Sequence, residues 1–161
     1  MEDELQVSFD IVNFSFAWDG NKELPVDKLE SLLKNGNLPM INFQPMETGV
    51  ESNKEDIYPV FTHILEGKFD TYSHDVAVRL RELNQPVFLS FAGQPDVEES
   101  PWYSEHPEAG EVYKATWEYM VQRFVEKGAS NVVWLWEAGS AENFSAYYPG
   151  NNYVQWLGVT I

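Results

Sequence analysis

The stretch Asn131-Val132-Val133-Trp134-Leu135-Trp136, with Tyr-Tyr-Pro-Gly-Asn-Asn-Tyr-Val-Gln-Trp-Leu-Gly-Val from Tyr147 to Val159, decides the fold. An apolar run ends in two tryptophans, an aromatic loop rich in turn residues follows, and a second apolar run opens at Trp156. Apolar runs that barely alternate are the habit of strands in a parallel sheet covered on its faces.

Just before the first run, Tyr113, Trp117, Met120, Val121, Phe124 and Val125 recur at helical spacing, and Gly128 stands past them as a terminator. Upstream, Pro86 to Ala92 reads as a strand, and Tyr72, Val76, Leu80 and Leu83 form one helical stripe from Asp70. The stretch 46–68 is the least regular, with a short helix expected around Tyr58 to Leu65. Pro39 to Phe43 is a buried strand closed by Gln44-Pro45. Val26, Leu29, Leu32 and Leu33 give a helix face after Pro25, and Asn35-Gly36-Asn37 stops it. Val7 to Trp18 and Trp156 to Ile161 read as the first and last strands.

The order strand–helix–strand–two helices–strand–helix–strand–loop–strand implies an α/β fold with about five parallel strands and covering helices. No linker, repeat or composition break divides residues 1–161, so one domain is expected. Ligands in such folds gather at the carboxyl ends of the strands. The loops after Trp18, Gln44, Ala92 and Trp136 therefore hold the candidates.

Charge narrows the partners. Twenty-six acidic against 10 basic residues give a net charge of −16, which repels phosphate backbones and anionic lipid headgroups, so no nucleic acid is expected. No segment nears the roughly 18 continuous apolar residues of a membrane span. Without cysteine there is neither a disulfide framework nor a Cys-based zinc site. His63, His74 and His106 lack metal-ligand spacing, and no cofactor is expected. Met1 to Glu4 lacks the pattern of a signal peptide, so the chain is cytoplasmic or, if its N-terminus is incomplete, secreted or held at the cell surface.

Six Trp, eight Tyr and ten Phe exceed what core packing requires, so some rings should line a cleft. Pyranose rings present C–H faces to aromatic planes while their hydroxyls seek amides and carboxylates. A polysaccharide or oligosaccharide is the partner these residues fit.

Several segments, in order, resemble glycoside hydrolase family 26, whose best-known members are β-mannanases. Val12 to Trp18 resembles the family strand ending in a site-side Trp, and Pro39 to Pro45 its Pro-Met-Ile-Thr-Trp-Glu-Pro strand. Ile64 to Asp70 resembles a helix entry, Tyr113 to Trp117 the helix before Asn131 to Trp136, and Tyr147 to Val159 is the most specific match. The resemblance implies an incomplete (β/α)8 barrel, a TIM-barrel-like sheet lacking the family's first and last strands. It also implies a retaining mechanism with two glutamates. The family's acid/base Glu closes a strand written Arg-Phe-x-His-Glu-Met-Asn, which here reads Ser90-Phe91-Ala92-Gly93-Gln94-Pro95-Asp96. Ser90 thus replaces the Arg, Gly93 the His, Gln94 the acid/base Glu, and Gln155 an Asp further on. An amide donates no proton near neutral pH. The nucleophile belongs to a seventh strand, whereas Ile161 aligns with the end of the sixth.

The resemblance implies Trp18, Gln94, Trp102, Tyr103, Trp136, Glu137 and Tyr148 as carbohydrate contacts, with Trp134 and Trp136 pointing into the barrel. The same tryptophans also read as core, and Trp117 as helix packing. Glu47 and Glu137 each follow a strand end and offer a re-created carboxylate pair. Asp96, Glu98 and Glu99 offer a substitute acid or a solvated loop. The expected function is a β-mannanase- or β-glycanase-like domain that acts on or binds a polysaccharide, catalytically impaired. Two alternatives stand beside it. One is a glycosidase completed by another segment. The other is a structural module in polysaccharide synthesis or export, docking a partner or a second copy along apolar sheet edges.

Overall fold

The computed structural model describes residues 11–51, 53–140 and 143–159. Residues 7–10 of the first expected strand and 160–161 of the last lie outside them. The elements run β1 (Ile11–Trp18), α1 (Val26–Lys34), β2 (Leu38–Pro45), α2 (Pro59–Leu65), α3 (Asp70–Glu82), β3 (Val87–Phe91), α4 (Ala109–Glu126), β4 (Val132–Ala138), α5 (Phe144–Tyr147) and β5 (Trp156–Val159). Among the described residues the five strands are all parallel and lie in sequence order, with β1 and β5 at the edges. Each parallel return needs a crossover, and helices supply it.

The two faces of the sheet differ. Phe16 and Trp18 of β1, Ile41 and Phe43 of β2, Leu89 and Phe91 of β3, and Trp134 and Trp136 of β4 are buried against the helices. Trp134 meets Trp117 and Phe124 of α4 edge-on at 5.7 and 5.1 Å, and Trp18 meets Phe69 and Tyr72 at 5.4 and 5.0 Å. Successive side chains of a strand point oppositely. The other face therefore carries Asn13, Ser15 and Ala17; Met40, Asn42 and Gln44; Phe88 and Ser90; Val133, Leu135 and Glu137.

β2 alternates strictly between buried and half-buried, unlike the barely alternating strands expected, because only its helix face is fully covered. β3, at the centre, is buried at all five positions. On α4 the expected stripe holds from Tyr113 to Phe124, but Val125 is 69% exposed because it has passed the helix's inner face. Gly128, at φ +70°, ends α4 in the left-handed region that favours glycine, and Ala129 N–H returns to Phe124 O at 3.1 Å.

Candidate functional site

Beyond β3 the backbone turns through two unusual residues: Ala92 has φ +43° and Gln94 φ +56°. Such conformations in non-glycine residues cost about 1–3 kcal/mol each and persist only where surroundings hold them. Ala92 N–H donates to Phe43 O at 3.1 Å, and Gln94 N–H to Glu137 O at 2.9 Å. The Trp102 indole N–H donates to Gly93 O at 2.9 Å, and the Ser100 hydroxyl donates to Gln94 O. The buried Tyr113 hydroxyl lies between Phe91 O and Ala92 O at 3.3 and 3.2 Å. Burial pushes that hydroxyl's pKa well above its ordinary value, and the charges of Asp96 and Glu137 add to the effect.

This turn forms one wall of a cavity of about 290 Å³ at the carboxyl ends of β2, β3 and β4. Asn42 and Gln44 line it from β2, Glu137 from β4, and Gly93, Gln94, Ser100 and Trp102 from the loop after β3. The Ser90 hydroxyl donates to Glu137 Oε2 at 2.5 Å. A Cβ at position 93 would lie 2.6 Å from that oxygen and 3.0 Å from Ser90 Oγ. Glycine at 93 is therefore what leaves room for the carboxylate.

Of the expected contacts, Gln94, Trp102 and Glu137 converge on this cavity. The other four lie elsewhere. Trp136 is 0% exposed and packs edge-on to Phe144 and Tyr148 at 5.0 and 5.3 Å, so it offers no open face to a sugar. Trp134 and Trp136 thus point toward the helices rather than into the sheet's concave side; the inward residues of β4 are Val133, Leu135 and Glu137. Trp18 is buried beneath a separate hollow shared with Asp19, Lys22 and Thr48. Tyr103 lines a hollow with His106 and Tyr147, and Tyr148 stacks on Phe144 while its hydroxyl donates to Asn151.

Of the three substitute acids, Glu99 lines the cavity with Glu137, whereas Asp96 and Glu98 are engaged elsewhere, and Glu47 does not pair with Glu137. Asp96 is 3% exposed, and its two oxygens accept the backbone N–H groups of Gly139 at 2.8 Å and Ser140 at 2.7 Å. Glu98 is hydrogen-bonded to Lys54 at 2.8 Å, which draws its pKa down. Glu47 bonds Lys68 and His63, and the Lys68 contact first, then His63, holds its carboxyl below its ordinary value. It lines a hollow with Asp19, Tyr72 and Asp75, apart from the cavity of Glu137. No group of three metal-ligating side chains is assembled among the described residues.

Asn42, Gln44 and Ser90 were absent from the expected contacts. Their signal was parity: Asn42 and Gln44 alternate with Ile41, Phe43 and Pro45, and Ser90 stands between Leu89 and Phe91, on the face Glu137 shares.

Residues 50–161 match the model of Glycosyl hydrolase family 26. Endoglucanase H of Acetivibrio thermocellus is 24% identical over an alignment of 158 residues that covers 93% of this chain and 16% of that protein. Bacillus subtilis mannanase BCman superposes with a TM-score of 0.71 at 20% identity, over 94% of this chain and 54% of its own. A β-mannanase from a symbiotic protist of the termite Reticulitermes speratus, complexed with gluco-manno-oligosaccharide, gives 0.68 at 17%, over 94% and 55%. The Podospora anserina β-(1,4)-mannanase gives 0.70 at 15%, over 99% and 41%. The chain thus spans about half of these solved chains and a sixth of the curated relative. At such identities the structural likeness shows the fold, a TIM-barrel-like α/β sheet of five strands.

Proposed function

Because the chain belongs to glycosyl hydrolase family 26, we propose that its cavity binds a unit of a β-mannan- or β-glucan-type polysaccharide and, as this chain stands, hydrolyses it poorly or not at all. The observation that carries this reading is the cavity's make-up. Gln94, Asn42 and Gln44 bring amides, Ser100 a hydroxyl, Glu137 a carboxylate, and Trp102 an aromatic edge. Amides, hydroxyls and carboxylates answer sugar hydroxyls in both hydrogen-bonding senses.

Glycoside cleavage needs a proton on the leaving oxygen and a second carboxyl group, about 5 Å away in a retaining enzyme. Gln94 supplies no such proton, and both oxygens of Asp96 are already engaged by Gly139 and Ser140. The other carboxylate lining the cavity beside Glu137 is Glu99, which lies exposed on the loop after β3 rather than at a strand end. The test measures reducing-sugar release from mannan and mixed-linkage glucan alongside calorimetric binding of manno-oligosaccharides. Binding without turnover, weakened by Gln94→Ala, is the expected result. Steady turnover lost in Gln94→Ala or Glu137→Ala would overturn it.

One observation favours a second reading. Trp156, Leu157 and Val159 on the edge strand β5 are half-exposed or more, and Trp156 meets Phe88 of the concave face edge-on at 5.3 Å. A further parallel strand pairing there would extend the wall beside Glu137 and bring its own side chains to the cavity. Under this reading turnover appears only when such a segment is supplied.

A further inference from the structure

The cavity is one-sided in charge. Of its lining side chains, Glu99 and Glu137 carry carboxylates, and none carries a cation. Lys54, which neighbours Glu99, is hydrogen-bonded to Glu98 at 2.8 Å and feels Glu105 and Glu99 as further negative neighbours. Glu99 at the rim thus shares some compensating charge. Glu137 is placed differently. Among the described residues it enters no ion pair; its Oε2 accepts a neutral hydroxyl, from Ser90 at 2.5 Å. Gly93 presses its backbone against that carboxylate, with no room for a Cβ.

A carboxylate held this way is an acceptor whose charge a ligand alone is left to balance. Opposite charge brought beside it gains Coulomb energy, a second anion loses it, and the partial enclosure limits screening. We propose that Glu137 makes this cavity a charge filter: it favours a sugar unit bearing an ammonium, such as a 2-amino-2-deoxyhexose, accepts a neutral hexose, and rejects a uronate. The inference rests on the carbohydrate reading above and goes further by naming the substituent that the site sorts.

The experiment is calorimetric titration with three β-1,4-linked tetrasaccharides at low ionic strength: of glucosamine, of mannose and of mannuronate. The glucosamine oligomer should bind about tenfold more tightly than the mannose oligomer, with mannuronate weakest, and added salt should compress the ranking. Glu137→Gln keeps the shape and removes the charge, so it should bring the three affinities to within about threefold of one another by the same Coulomb argument. Gly93→Ala displaces the carboxylate by sterics instead, and should compress the ranking in a protein whose unfolding temperature is checked alongside. Equal binding of the three oligomers by the unaltered chain, or a ranking that survives Glu137→Gln, overturns the filter alone. Failure of all three to bind overturns the carbohydrate reading and the filter with it.

Discussion

Asp96 shows how a single carboxylate can be committed to architecture in the middle of a chemical site. Its two hydrogen bonds fasten the loop that carries Gln94 to the chain just past β4, where Gly139 approaches so closely that a Cβ would lie 2.4 Å from Val97 Cγ1. Hydrogen bonds to a charged group contribute about 1.5–3 kcal/mol each, and removing the carboxylate takes that partner from two half-buried amides. Asp96→Ala should therefore cost about 3 kcal/mol in urea unfolding, with oligosaccharide binding weakened because the wall holding Gln94 loosens. An unchanged midpoint would mean that the two amides find other partners. The sequence placed Gln94 and Glu137 at their strand ends, since each follows an apolar run directly. It could not reveal that Asp96 turns inward to backbone amides, because that depends on two loops 43 residues apart meeting in space.

At the scale of elements, helix faces were legible and strand faces were not. Tyr113, Trp117, Met120, Val121 and Phe124 are all buried as their spacing implied, because a helix has one apolar stripe and one place to put it. A strand has two faces, and parity alone does not say which one meets the helices. Trp134 and Trp136 belong to the helix face because only there do Trp117, Phe124 and Phe144 surround them. The short helix α5 was equally hidden, since four residues carry no periodicity. Between β2 and the helices, Glu47 adds an electrostatic clasp through His63 of α2 and Lys68 of the α2–α3 link. Its carboxyl pKa is depressed, by Lys68 first and then His63. A depressed folded pKa contributes stability above the unfolded value, and that contribution is lost as pH falls through the folded one. Glu47→Gln should therefore lower the unfolding temperature at neutral pH. The gap from the unaltered protein should close as acidification passes below the ordinary glutamate range. A gap that stays constant across that range would assign Glu47 a packing role instead.

For the whole molecule, two features oppose each other. Among the described residues the sheet ends in β1 and β5, and parallel edge strands invite another strand. Ile11 on β1 and Trp156, Leu157 and Val159 on β5 add exposed apolar surface to those edges. Against this stands a net charge of −16, whose repulsion between copies keeps molecules apart at neutral pH and low salt. The isoelectric point is near 4.3, so the repulsion fades toward that pH while the edges remain. Light scattering should accordingly report a rising molar mass as the solution is brought from pH 7 toward pH 5, and again on adding salt at pH 7, with circular dichroism confirming that the fold persists. Trp156→Lys with Leu157→Lys removes the apolar edge of β5 and adds charge of opposite sign to the rest of the molecule. If edge pairing drives the association, that variant stays monomeric where the unaltered chain grows, even though its smaller net charge should make it cohere more readily. Association that follows net charge alone, with the double variant growing as fast or faster, would place the contact elsewhere on the surface and remove the support that β5 gives to strand addition.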